Sequence, residues 1–447
     1  MWTALLLGLA CTPAEDPPTP APGPATVGPP HGGPPPNGRA GPPGGAGRAQ
    51  GGGSGAAMQD PSGFPDFHDR TAPAGPTLPP GAGPGWSTPV RLTADPGGGY
   101  RPQVAVAPDG RLHAVYYERT KGGDLIRHRT SRDGVTWSDP VPLGFDRDRN
   151  WGPDIVARAD GSVVVCFDHA KPDFTSRAWL TTWTEATGWS APEPLTADDP
   201  QGEVGSGHVA DGPGEDLAFV WIGKRMDPRD RFRALWRWRS NGRWSEPTAF
   251  TDGANDAWHT NVERRPDGSV LAAWDVGIGG SETTLYVAEG RAGRFGAPED
   301  LSRGAGRPGE RAHFAFGADG TDHVTWFHKK QGSPTAVYVR TGRPGAWSDR
   351  VDEPSAGVGG YHFDPDIAID AKGTRVLVWG WDATREAELA YSVDRGRGWE
   401  PARRVAGLGA GKPGLPSLVV DANGTFHVVW NQGVRGRSDV WYASWKP

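Results

Sequence analysis

The chain has 447 residues, a formal net charge of −6 from 47 basic and 53 acidic side chains, and two cysteines. So mild a charge gives no electrostatic case for a nucleic-acid partner. Two cysteines make no disulfide framework, and no Cys/His spacing of the zinc-binding kind is present.

Met1–Cys11 reads MWTALLLGLAC, a short apolar run ending in Cys. It is too short to span a bilayer and looks like a bacterial lipoprotein signal with Cys11 as the acylated residue. The expectation is an exported protein of the bacterial cell envelope, periplasmic or at the surface, touching membrane only through a lipid anchor. From Thr12 to about Gly85 the chain is mostly Pro, Gly and Ala. Such a segment lacks the apolar side chains that offset ordering entropy, so residues 12–85 are predicted to be a disordered spacer. Within it, Asp66–Arg70 is richer in aromatic and charged residues, and is a candidate for docking on the folded part. With Cys11 lipidated, Cys166 stands alone in a β-rich run and is expected to be buried and inert.

Residues 86–447 repeat. A Trp-Ser-x-Pro-like element recurs at Trp86, Trp137, Trp189, Trp244, Phe295, Trp347 and Trp399, at steps of 51, 52, 55, 51, 52 and 52 residues. Taking Gln103, Asp154, His208, Asn261, His313, Asp366 and Ser417 as position zero, a turn residue follows six places on: Asp109, Asp160, Gly214, Asp267, Asp319, Lys372 and Asn423. Gly comes next in six of the seven, which predicts a tight hairpin of type I′. An aromatic follows thirteen places after position zero: Tyr116, Phe167, Trp221, Trp274, Trp326, Trp379 and Trp430. Short strands at a period near 50 are the mark of a radial array of small sheets. The predicted fold is all-β: a seven-bladed β-propeller of four-stranded blades. The strand at Trp86–Leu92 has no hairpin before it, and the last unit lacks a fourth strand, so the N-terminal strand is predicted to complete the last blade and close the ring.

The period also says where a ligand would sit. All seven position-zero residues are polar, and the next residue is apolar in every unit. First-strand starts and second-strand ends fall on one face, around the mouth of a central channel. Three readings of the ring are open. Its members bond one another and channel water; they bind a polar ligand; or His208 and His313 hold a divalent ion with Asp154 or Asp366. The reading taken is a carbohydrate ligand, with no metal or cofactor expected and a monomer as the assembly. Trp151, Trp258 and Trp381 lie outside the structural aromatic slots, and Trp beside Asp, His and Arg suits a sugar's C–H faces and hydroxyls. Asp168, His169, Asp275, His328 and Asp382 follow second strands, so a general acid or base is available on this face.

Three turns carry a further pattern. Ser392–Trp399 fits S-x-D-x-G-x-x-W in full, Ser131–Trp137 fits it with one residue deleted, and Ser240–Trp244 is a degraded copy. On these turns and the repeat over Trp86–Pro447, the chain resembles the sialidase-like (BNR/Asp-box) β-propeller superfamily. The resemblance implies residues by position. Tyr100-Arg101-Pro102 stands where sialidases carry an F-R-I-P-like motif whose Arg binds the substrate carboxylate. Glu118-Arg119 and then Asp124 follow as the second anion-site Arg and the acid/base. Arg311 holds the slot of Arg101, two places before position zero, and Arg225 is the candidate third arginine. Tyr361 is the tyrosine nearest the nucleophile's place, though not in a Tyr-Ser-x-Leu context. No Glu stands at the third or fourth inner-strand start, and the family's ring has six blades where seven repeats are counted here. The function expected is glycan binding with exo-sialidase-like or related carbohydrate-active chemistry. A non-catalytic propeller, lectin-like or protein-binding, is the alternative.

Overall fold

The computed structural model describes residues 75–447, apart from segments 94–97, 172–174, 197–201, 213–215, 226–228, 278–282, 303, 329–334, 384–385, 407, 409–410 and 435–436. The signal-like segment with Cys11, and Asp66–Arg70, lie outside the described residues. Within them every named element is a β-strand.

Each unit begins with a long first strand: Gly99–Val106, Asp148–Ala157, Glu203–Asp211, Ala257–Arg264, Glu310–Phe316, Tyr361–Ile369 and Lys412–Val420. Each pairs antiparallel with a second strand, and that with a third. Short outer strands flank the third. The first two units are joined through a brief parallel pairing, Gly123 with Asp148 and Asp124 with Arg149. In the last unit the outer place is taken by Val90–Arg91 from the other end of the chain, in register Val90↔Tyr442 and Arg91↔Trp441, with a bridge from Trp86 to Trp445.

The aromatics thirteen places after position zero are all at most 1 % exposed. They sit on second strands, between neighbouring sheets: Trp221 packs with Val164 and Leu180 of the preceding unit, and Trp379 with Phe327 and Val339. Aromatic side chains of this size bury about 150–250 Å² each and dominate the energetics of such a core.

The hairpins differ from the expected type I′. In Ala107–Gly110 the glycine N–H donates to the Ala107 carbonyl at 2.9 Å, and the same bond recurs at Gly161, Gly268, Gly320, Gly373 and Gly424. In each turn only the glycine has φ > 0, at 75–84°. That is a type I turn closed by a left-handed glycine. The aspartate before the glycine stays right-handed because its carboxylate accepts a backbone N–H two residues on, as Asp109 does from Arg111 at 3.0 Å.

The folded part also starts earlier than the composition suggested. Leu78 is 1 % exposed in the cluster with Trp379 and Trp381. Its carbonyl accepts Arg404 Nη2 at 2.9 Å, and the Pro76 and Pro84 carbonyls accept Gly359 N and Trp445 Nε1, each at 2.9 Å. One buried leucine and satisfied carbonyls hold residues 75–85 against the sheets, so the predicted spacer cannot run as far as 85.

Candidate functional site

Every first strand carries a bulge just before or beside position zero, where its register with the second strand shifts by one residue. The residue two places before position zero is left-handed at Arg101, Gly152, Ser206, Arg311, Asp364 and Leu415, with φ of 46–57°. Left-handed backbone at non-glycine positions is strained and clusters at sites. Here the bulge turns the seventh equivalent, His259, and these six onto the wall of one cavity of about 70 Å³. Below it a cavity of about 330 Å³ is lined by the first strands from position zero onward. Gln103, His208 and His313 border both.

Arg101 and Arg311 therefore meet. Arg311 Nη1 lies 3.3 Å from Asp364 Oδ1, and Asp364 is 3 % exposed. The Arg101 side chain forms no ion pair among the described residues. Burial lowers its pKa, and the positive charge of Arg311 pushes the same way; Asp168 and Asp364 only partly offset them. A desolvated guanidinium without an ion pair, beside a second guanidinium, is a site prepared for an anion.

His259 and Asp364 were not singled out in the sequence. The signal existed: both stand in the slot of Arg101 and Arg311. His259 Nδ1 is 3.1 Å from Oδ1 of fully buried Asp275, which also accepts the Arg311 backbone N–H at 3.2 Å. With Glu310, these side chains offer ligand atoms within 4.8 Å of one another, a group of the right type for a divalent ion. This is not the His208/His313 arrangement considered from the sequence.

The position-zero ring is tied into the sheets. Asp154 Oδ2 accepts Val209 N at 2.9 Å, Asp366 Oδ2 accepts Leu418 N at 2.7 Å, and Ser417 Oγ accepts Val104 N at 3.2 Å. Asn261 Nδ2 donates to the Ala312 carbonyl at 3.1 Å. Each bond links one first strand to the next. His208 Nδ1 lies 3.5 Å from Asp154, and His313 Nδ1 lies 3.4 Å from Asp366. Burial works against charging His313, but Asp366 and Glu263 outweigh it and raise its pKa. Glu263, in the larger cavity, is pushed up to about 8 by burial and by Asp366 and Asp154.

The remaining sequence candidates fall elsewhere. Asp124 is buried outside this cavity, 3.7 Å from Arg119 Nε and 3.4 Å from Arg149 Nε. The Arg119 guanidinium lies over the Tyr100 ring at 4.9 Å. Tyr361 is 5 % exposed in the apolar cluster with Trp379. Trp381 is fully buried there, its Nε1 bonded to the Gly359 carbonyl at 2.7 Å, so it offers no exposed rim. Trp151 and Trp258 are half-buried, Trp151 under Arg149 at 4.7 Å and Trp258 beside Phe232 at 6.2 Å. Arg225 is exposed and flanks residues outside the described set. Cys166 is buried, with its thiol pKa raised by burial.

No family model matches the chain, and no curated protein does. Solved structures do. A protein of unknown function from Dyadobacter fermentans superposes with a TM-score of 0.51 at 14 % identity, covering 81 % of this chain and 99 % of that one. An ulvan lyase, a polysaccharide lyase, superposes with a TM-score of 0.51 at 11 % identity over 81 % of this chain and 94 % of its own. The Trypanosoma rangeli sialidase gives 0.46 at 10 % identity, over 81 % of this chain and 59 % of that one. At such identities the likeness is of fold alone.

Proposed function

We propose that the chain is a seven-bladed propeller whose ring is closed by its N-terminal strand, and that it binds acidic glycans at the channel mouth. Seven hairpin units of one register support the blade count, and the pairing of Val90–Arg91 with Arg437–Trp445 supports the closure. First strands of successive units pack on one another in chain order, and the last, Lys412–Val420, packs on the first.

One observation carries the ligand class: Arg101, without an ion-pair partner among the described residues, faces the same cavity as Arg311. Two converging guanidiniums suit a carboxylate. The ulvan lyase of like fold was solved with a GlcA-containing oligosaccharide, in keeping with an acidic sugar here. Titration calorimetry with N-acetylneuraminic and glucuronic acids against their methyl esters tests it. Binding of the acids that is lost in Arg101→Ala supports the proposal; equal binding of acid and ester sinks it.

Binding without turnover is favoured by the burial of Tyr361 in an apolar cluster and the pairing of Asp124 with two arginines outside the cavity. Turnover as a glycoside hydrolase is favoured by the His259–Asp275 pair, since a carboxylate on one ring nitrogen orients an imidazole for proton transfer. A screen of fluorogenic glycosides decides between the two. Export with lipidation at Cys11 is supported by the Met1–Cys11 pattern alone; labelled palmitate that is incorporated by the chain but not by Cys11→Ser tests it.

A further inference from the structure

Asp168 lies near the end of the second strand of its unit, Val163–Ala170, in the slot held by Asp275 and Asn431 elsewhere. Those two counterparts each accept a backbone N–H from the bulge of the next first strand. Asp275 takes Arg311 N at 3.2 Å and Asn431 takes Arg101 N at 3.3 Å. Asp168 departs from them. It is 1 % exposed, and neither carboxylate oxygen has a hydrogen-bond partner. The indole of its cross-strand neighbour Trp151 is near enough to be felt, yet outside hydrogen-bonding geometry. Buried carboxyls left unmet are strongly disfavoured, so a partner is missing.

The surroundings say where that partner would come from. The carboxylate stands directly behind Gly152 and Gly207, both of which line the small cavity. A Cβ at Gly152 would lie 3.1 Å from Asp168 Oδ2, and one at Gly207 would lie 3.6 Å from Oδ1. Gly152 fills the slot that carries Arg101, Ser206, His259, Arg311, Asp364 and Leu415 in the other units. Glycine thus replaces a side chain where one would crowd the carboxylate. Among charged groups, Arg101 of the first unit acts on Asp168; Cys166 and His169 are the titratable groups on its own strand, and Asp168 acts on Cys166.

We infer, resting on the Arg101–Arg311 clamp proposed above, that Asp168 is a second contact of the same site, taking a hydroxyl or amide N–H of the sugar whose carboxylate lies on the arginines. The ligand class narrows accordingly to sugar acids with a hydrogen-bond donor near the acid group. Simple carboxylates would use the arginines alone.

The test is calorimetry on the full chain with three probes: N-acetylneuraminic acid, glucuronic acid and acetate. The expected result is that Asp168→Asn and Asp168→Ala each weaken binding of at least one sugar acid about tenfold or more, the loss of a hydrogen bond to a charged group. Acetate binding should stay as in the unaltered chain. Gly152→Ala, which crowds Oδ2, should act in the same direction, and a thermal melt of each variant confirms folding. Sugar acids that bind the Asp168 variants unchanged, yet are lost in Arg101→Ala, would overturn this inference and leave the clamp standing. Failure of any probe to depend on Arg101 overturns the clamp, and the Asp168 contact with it.

Discussion

Asp154 Oδ2 accepts the backbone N–H of Val209 at 2.9 Å, from one first strand to the next. Asp366 does the same for Leu418 at 2.7 Å. The polar ring that marks the site in the sequence is therefore also mortar between neighbouring sheets. Removing either carboxylate leaves a buried N–H unmet, at a cost of about 1–3 kcal/mol. Asp154→Ala and Asp366→Ala should each lower the urea midpoint accordingly, while Asp154→Asn and Asp366→Asn, which keep an acceptor oxygen, should lower it less. Alanine variants as stable as the unaltered chain would show that these bonds contribute nothing net.

Much of this was legible because it is periodic. Position zero, the hairpin glycine and the buried aromatic recur at fixed distances, and fixed distance along a strand means fixed height and face. The same logic, carried one step further, finds what was missed. His259 and Asp364 share the slot of Arg101 and Arg311, and Trp381 shares the strand face of Trp379, so its burial follows from that of its neighbour. The pairing of Asp124 with Arg149 was not legible. It crosses between two units through a short parallel contact that no repeat pattern encodes.

Asp168 should reveal itself in the pH dependence of stability. Burial raises its carboxyl from 3.8 to about 7, with Arg101 pulling the other way. The folded chain thus holds this proton more tightly than the unfolded chain. The resulting stabilisation is complete below about pH 4 and is lost as pH rises through about 7. Asp168→Asn has no such proton to lose. Its advantage over the unaltered chain should grow between pH 4 and 8, by at most roughly 4 kcal/mol at about 1.36 kcal/mol per unit. Glu263, also raised, is present in both proteins and cancels in the difference. Paired thermal melts across that range check it, and a gap that stays constant would contradict the buried, unpartnered state of Asp168.

A second buried charge behaves differently because it is met. Arg265 and Asp322, 1 % and 0 % exposed, are joined by two bonds of 2.8 and 2.5 Å between consecutive units. Breaking such a pair strands a charge and costs about 3–5 kcal/mol, whereas replacing both members with apolar groups is often neutral. Arg265→Met should therefore be strongly destabilising, and Arg265→Met with Asp322→Leu should recover most of the loss. A double variant no better than the single one would mean that the bidentate geometry, rather than charge balance, sustains this interface.

The two cavity arginines should part company in the same assay. Arg311 is balanced by Asp364 at 3.3 Å, while Arg101 has no ion-pair partner among the described residues and is opposed by burial and by Arg311. Removing Arg101 relieves a like-charge repulsion between desolvated groups; removing Arg311 leaves Asp364 buried without its cation. Arg101→Met should hold or raise the melting temperature at pH 7, and Arg311→Met should lower it. Binding sites often carry such uncompensated groups at the expense of stability. If both substitutions lower the melting temperature equally, Arg101 is serving the fold rather than waiting for an anion.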